Sequence, residues 1–172
     1  MNAFKSALCA AALAACAMAG AASAAERTTT FEVFLEVGQM CEFTGTTNVD
    51  FGSPSPASGN QIDAYGSLTV YCNLPIAYGI SLDAGQHGSG TGDRKMASAS
   101  GATIDYRLYS GSDGDVSCSE AGGVQWGDSS GGCIYSSTYQ ASEQVIEIHG
   151  ALNLVNPDAG TYSDTVTATI TY

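Results

Sequence analysis

The sequence predicts a single all-β domain, a sandwich or barrel of short strands. Three observations carry this. Apolar residues alternate with period two in several runs. Clusters of Gly, Ser, Asn and Pro separate those runs at short intervals. No stretch after residue 24 shows the 3.6-residue period of a helix. Many short strands joined by such turns close into a sandwich or barrel. With no internal repeat and no linker in 172 residues, one domain is expected.

A removable leader is expected at residues 1–24. Residues 1–24, MNAFKSALCAAALAACAMAGAASA, carry one Lys, an Ala-rich apolar run and a small-x-small cleavage signal at Ala22-Ser23-Ala24. A transmembrane helix is the weaker reading, because Ala and Gly carry little hydrophobicity and no stop-transfer charges follow. Leu13-Ala14-Ala15-Cys16 offers another alternative, a lipoprotein box that would lipidate Cys16. Cleavage next to Ala24 leaves about 148 residues, enough to bury a core without metals.

The first strand is expected at 31–37, with Phe31, Val33, Leu35 and Val37 on one face and Glu32, Phe34 and Glu36 on the other. SLTVYC (67–72) aligns Leu68, Val70 and Cys72, and YGISL (78–82) aligns Tyr78, Ile80 and Leu82. TIDYRLY (103–109) sets Ile104, Tyr106 and Leu108 against Asp105 and Arg107. VIEIHGALNLV (145–155) sets Ile146, Ile148, Leu152 and Leu154 against Glu147, His149 and Asn153. The last strand, 161–172, carries Val166, Ala168, Ile170 and Tyr172 on one face and Thr165, Thr167, Thr169 and Thr171 on the other. Residues 51–60, 83–93, 110–115 and 129–132 are loops by composition, and NPDAG (156–160) is a tight turn.

Charge narrows the function. All 17 acids follow residue 24, against four bases (Arg27, Arg94, Lys95 and Arg107), a net charge of −13 after cleavage. Such a surface repels phosphate backbones and anionic lipid, so neither nucleic acid nor direct membrane insertion is expected. Four cysteines remain: Cys41, Cys72, Cys118 and Cys133. An even count in an exported chain reads as disulfides, with three possible pairings. Joining neighbours in sequence favours 41–72 and 118–133. The spacing does not suit a metal, since there is no C-x-x-C and only His87 and His149 are available to assist.

Catalytic chemistry is not evident, and no enzyme or cofactor is expected. His87 sits in a Gly-rich loop, and His149 alternates with Glu147 on a polar strand face, which reads as a solvated histidine. GQHGSGTGDRK lacks the G-K-[ST] of a phosphate cradle. SDGDVS lacks the length and closing Glu of a calcium loop and reads as a polar turn. Trp126, the single tryptophan, reads as a core or rim residue rather than a sugar platform.

The ordered set of features resembles the spore coat protein U domain family, which includes subunits of archaic (Csu-type) chaperone–usher pili. The resemblance rests on an alternating N-terminal strand leading into Cys41, then VDFGSPSP (49–56) and AYGSLTVYCNLPIAYGISLDAG (64–85). DRKM (93–96), IDYRLYS (104–110), VQWGD (124–128) and the closing NPDAGTYSDTVTATITY (156–172) complete it. It implies an immunoglobulin-like β-sandwich that is incomplete and is completed by a donor strand from a neighbouring subunit. On this pattern residues 1–24 are the signal peptide, 25–40 the donor strand and lead-in to the first body strand, and 41–172 the pilin-like β-sandwich body. Phe31, Val33, Leu35 and Val37, mostly within 28–37, would be the donor face. Val166, Ala168, Ile170 and Tyr172 would form the acceptor edge.

The first disulfide, Cys41–Cys72, is also implied by the family; the second rests on parity and proximity. The implied partners are copies of itself or homologous pilus subunits, a periplasmic chaperone and an outer-membrane usher. The implied location is a cell-surface fibre used in attachment and biofilm formation. One domain with a donor-like strand suits a shaft or adaptor subunit. The alternatives are a secreted coat or envelope protein of the same fold that forms no pili, and a ligand-binding module anchored by a lipid on Cys16.

Overall fold

The computed structural model describes residues 25–54, 61–111, 118–128, 131–139 and 142–172. The expected leader with Cys9 and Cys16, the SDGDVS turn and parts of the loops at 51–60 and 129–132 lie outside these residues. The chain divides into two units, residues 1–36 and 37–172.

In the first unit the described residues, 25–36, form neither strand nor helix. Phe31, Val33, Phe34 and Leu35 are 84–88% exposed. The strand expected at 31–37 therefore does not form within the chain. A strand is held by a partner's backbone, and none of the described residues pairs with this run.

The second unit holds nine strands among the described residues: β1 (Cys41–Thr47), β2 (Gln61–Cys72), β3 (Ala77–Leu82), β4 (Arg94–Ser98), β5 (Thr103–Ser110), β6 (Tyr135–Thr138), β7 (Gln144–Asn153), β8 (Tyr162–Ser163) and β9 (Ala168–Thr171). They form an immunoglobulin-like sandwich of two antiparallel sheets. One runs β1-β2-β7-β5-β4-β8 and the other β6-β3-β9.

Alternation places the core where the sequence puts it. Leu68, Val70, Tyr106, Leu108, Ile146, Ile148 and Leu152 of the larger sheet face Tyr78, Ile80, Leu82 and Tyr135 of the smaller one, and all are buried. Both disulfides join the favoured pairs. Cys41–Cys72 links partners directly opposite in the β1–β2 ladder, and Cys118–Cys133 closes the excursion between β5 and β6.

That excursion ties the two sheets together. Trp126 is fully buried, its N–H donates to Leu108 O at 2.8 Å and its Nε1 donates to Ile80 O at 2.7 Å. Leu82 N donates to Gly127 O at 2.9 Å. Trp126 is thus a core residue, the first of the two roles expected.

Two strands were not expected, β4 and β6, and β1 lies where the resemblance, though not alternation, implies a first body strand. The long final strand is also broken. β8 pairs with β4 in the larger sheet, whereas β9 pairs with β3 in the smaller one, so residues 164–167 cross between the layers. After β1 the chain also turns inward. A Cβ on Gly150 would lie 2.5 Å from Val49 Cγ1 and 2.9 Å from Phe51 Cζ, so residues 49–51 rest directly on the inner face of β7. Only glycine permits that approach. Among the described residues the smaller sheet has three strands against six, and the layers do not match in width.

Candidate functional site: a groove beside the last strand

Where the smaller sheet runs out, a groove of about 590 Å³ opens in the second unit. One wall is residues 46–51, the end of β1 and the inward turn that follows; the other is residues 162–166 with Ala168, from β8 through the crossing to the start of β9. The floor is Leu68, Leu82, Met96, Tyr106, Leu108 and Ile148, drawn from five strands of both sheets. β9 is the last strand of its sheet, so its edge facing away from β3 has no strand partner among the described residues. An apolar trough beside an unpaired backbone edge is the shape into which an added strand fits, bonding through its main chain and filling pockets with alternate side chains.

Two aspartates hold the wall that crosses between the sheets. Asp83 Oδ1 accepts from Thr167 N at 2.9 Å and from Gly85 N at 2.9 Å, while Asp83 N donates to Thr167 O at 3.0 Å. Asp164, its side chain 3% exposed, accepts from Tyr106 Oη at 2.7 Å and from Gln86 N at 2.9 Å, with His87 Nδ1 also at 2.9 Å. Gly85 has φ +76°, and a side chain there would run into the Asp164 carboxylate, so the loop closes on the strand only with glycine.

Burial pushes both carboxyls up, but hydrogen bonds outweigh it and hold them below the usual carboxylate range. For Asp164 these bonds come from Tyr106, Gln86 N, His87 and Thr165 N; for Asp83, chiefly from Thr167 and Gly85, with Arg94 nearby. Burial and the bond to Asp164 push the Tyr106 phenol well above its ordinary value.

A depressed carboxyl stabilises the fold fully above its unfolded pKa, and that stability is lost as pH falls through its folded pKa. The groove wall is therefore expected to loosen on strong acidification. Asp164→Asn should be less stable than the parent at neutral pH and flatter in its acid limb. Urea midpoints from pH 7 down to 2 check this, and parallel curves for the two proteins would contradict it.

Of the residues expected at the acceptor edge, Val166 and Ala168 line the groove and Ile170 packs on the core. Tyr172 is 51% exposed and sits instead beside Ala77, Tyr78 and Gly79 on a shallow surface depression. Of the residues expected at a donor face, Phe31, Val33 and Leu35 belong to the first unit and Val37 to the second. The wall at 46–51 was missed, although VDFG (49–52) marks it in the sequence.

His149 differs from expectation. Its side chain is only 12% exposed, with Nε2 3.0 Å from Asp63 Oδ1 and Nδ1 3.6 Å from Glu120 Oε2. It stacks on Tyr65 at 5.0 Å. Gln61 Nε2 donates to both carboxylates, at 2.9 Å to Asp63 and 2.7 Å to Glu120. The 3-10 turn Glu120–Gly122 brings Glu120 to His149, so the histidine is a fastener rather than a solvated surface group. The three groups have ligand atoms within 4.8 Å of one another, but the amide of Gln61 already occupies both acids.

With this geometry in view, comparison with known proteins places the chain. The model of the Spore Coat Protein U domain matches residues 27–169. The chain belongs to the Spore Coat Protein U domain family. The groove and both disulfides fall within the matched span. None of the curated proteins matches the sequence. Among solved structures, the chain is similar to one in the crystal structure of the CsuC–CsuE chaperone–tip adhesion subunit pre-assembly complex from archaic chaperone–usher Csu pili of Acinetobacter baumannii. The TM-score is 0.53 and the identity 21%. The match covers 79% of this Spore Coat Protein U domain chain and 40% of that chain, and it establishes a shared fold. No helix among the described residues is long and apolar enough to cross a membrane.

Proposed function

We propose that this chain is a structural subunit of an archaic chaperone–usher surface fibre and polymerises by donor-strand exchange. The observation that carries the reading is the pairing of two incomplete halves in one sequence. The body has a groove with an apolar floor beside the edge of β9 that has no strand partner among the described residues. The lead-in has an alternating apolar run, Phe31, Val33 and Leu35, that forms no strand and stands exposed. In the fibre, residues 28–37 of one copy lie in the groove of the next along Val166, Ala168 and Ile170. Head-to-tail contacts of this kind do not close on themselves and so build filaments. Each donor side chain buried contributes roughly 1.5–3 kcal/mol before ordering is subtracted.

Family membership and the fold shared with a chaperone–adhesion subunit complex support this reading. The subunit is exported after loss of residues 1–24 and is held first by a periplasmic chaperone. It is then passed to its neighbours at an outer-membrane usher and ends in a fibre serving attachment and biofilm formation. It acts as a shaft or adaptor subunit, and it is not an enzyme.

The test is the size distribution of the purified mature protein, unboiled, with and without residues 26–37. The intact chain is expected to give a ladder of stable oligomers that vanishes on deletion. Folded monomers in both forms would overturn the proposal and favour a coat or envelope protein of the same fold. A lipid on Cys16, read from the mass of the mature N-terminus, would also overturn it.

A further inference from the structure

Asn73 follows Cys72 directly, one residue past the end of β2. Its backbone N donates to Met40 O at 3.0 Å, its Oδ1 accepts from Met40 N at 3.0 Å, and its Nδ2 donates to Gly38 O at 2.8 Å. One residue thus holds three backbone groups in the stretch Gly38–Met40, all within the unit 37–172. The β1–β2 ladder ends at Cys41↔Cys72. Beyond it the side-chain amide stands in for a peptide group, offering one donor and one acceptor. Little packs here: Met40 is 43% exposed, and apart from Gly38 and its two chain neighbours no atom lies within 4 Å of where a Cβ on Gly38 would be. Hydrogen bonds hold the stretch.

We propose that Asn73 is a positioning residue for the donor segment: it keeps Gly38–Met40 aligned with β1 and so hinders residues 28–37 from returning to their own groove. This rests on the donor-strand reading above. The groove wall begins at Thr46, five residues along β1 from Cys41, about 17 Å at strand spacing. A ten-residue tail spans about 33 Å, long enough to double back that far. A tethered segment meets its own groove at an effective concentration of order mM, far above that of a neighbouring subunit in dilute solution. Self-filling would therefore compete strongly with polymerisation. The reversal has to be made between Val37 and Cys41, in the residues whose backbone groups Asn73 occupies.

The test uses the full mature chain with Asn73, Asn73→Asp and Asn73→Ala, read in two ways. Backbone ¹⁵N relaxation at Gly38, Gln39 and Met40 should be as rigid as β1 in the parent and mobile in Asn73→Ala. The unboiled monomer-to-oligomer ratio should rise several-fold in Asn73→Ala, with the monomer losing stability when residues 26–37 are deleted from it. Asn73→Asp keeps the acceptor for Met40 N and loses the donor to Gly38 O, so it should fall between. A purely structural role would lower the melting temperature and leave the ratio unchanged. An unchanged ratio, or a rigid 38–40 in Asn73→Ala, overturns the proposal. A parent that gives no ladder at all sinks the donor reading beneath it, and the relaxation data separate that failure from failure of the clamp.

Discussion

Replacing Arg94 with methionine should lower stability by about 3–5 kcal/mol, the range seen when one side of a buried charged network is removed. Arg94 has no exposed surface. Its Nε donates to Asp83 O at 2.8 Å, Nη1 to Thr91 O at 3.0 Å, and Nη2 to Leu82 O at 3.1 Å and Trp126 O at 2.8 Å. Burial pulls its pKa down, while Tyr106, Asp83, Asp128 and Asp164 oppose that pull. Methionine fills much of the volume but leaves four carbonyls without their charged donor and the aspartates without their cation. Since the same guanidinium reaches β3, the turn after it and the Trp126 excursion, its loss should loosen the groove floor at Leu82 together with the crossing segment that Asp83 holds at Thr167. A thermal melt should show a drop on the order of 10 °C. A loss below about 1 kcal/mol would mean that water reaches those carbonyls and that Arg94 is not the fastener its geometry describes.

Removing the Cys41–Cys72 bridge should have an effect nearly as large. The bridge closes a loop with a sequence separation of 31, for which chain-entropy reasoning gives about 3–4 kcal/mol. Both cysteines are also buried in the core, 6% and 1% exposed, so Cys41→Ala with Cys72→Ala adds lost packing. The expected result is a reduced urea midpoint and, because Cys41 starts β1 immediately after Gly38–Met40, a frayed β1 in hydrogen exchange. The Cys118–Cys133 bridge, with a separation of 15, should contribute less on the same reasoning. An unchanged midpoint without Cys41–Cys72 would show that the β1–β2 ladder holds that edge unaided.

The parts of the fold that were legible share one property: each signal was local. Ile146, Ile148 and Leu152 alternate cleanly, and β7 appears where they do. The cysteines pair as proximity in the sequence favours, and for Cys41–Cys72 the family resemblance points the same way. What failed was decided by distant partners. Alternation does not mark β1, which only the resemblance implies, because its register shifts between Phe43 and Gly45 at a bulge. β4, RKMAS, reads as polar because nothing local reveals that Arg94 is buried against four carbonyls. The final run reads as one strand, yet it divides where Asp83 and Asp164 draw residues 164–167 across the layers.

The groove beside β9 was correspondingly half legible. Val166 and Ala168 follow from alternation, but Tyr172 lies past the groove. The opposing wall at 46–51 depends on Gly150, a hundred residues away in the chain, leaving room for Val49 and Phe51. His149 was misplaced for a similar reason, since the turn bearing Glu120 that shields it is invisible from the neighbours of His149 in sequence.

The single tryptophan gives the molecule its own optical reporter. Trp126 is hydrogen-bonded through its backbone to Leu108 and through its ring to Ile80, while the next residue bonds Leu82. Leu82 and Leu108 are both in the groove floor, so the chromophore sits behind the surface a neighbouring strand would cover. None of residues 25–40 is a tryptophan, so emission from an unlabelled sample comes entirely from the body. Filling of the groove and unfolding of the sandwich can then be followed as separate changes in one fluorescence signal.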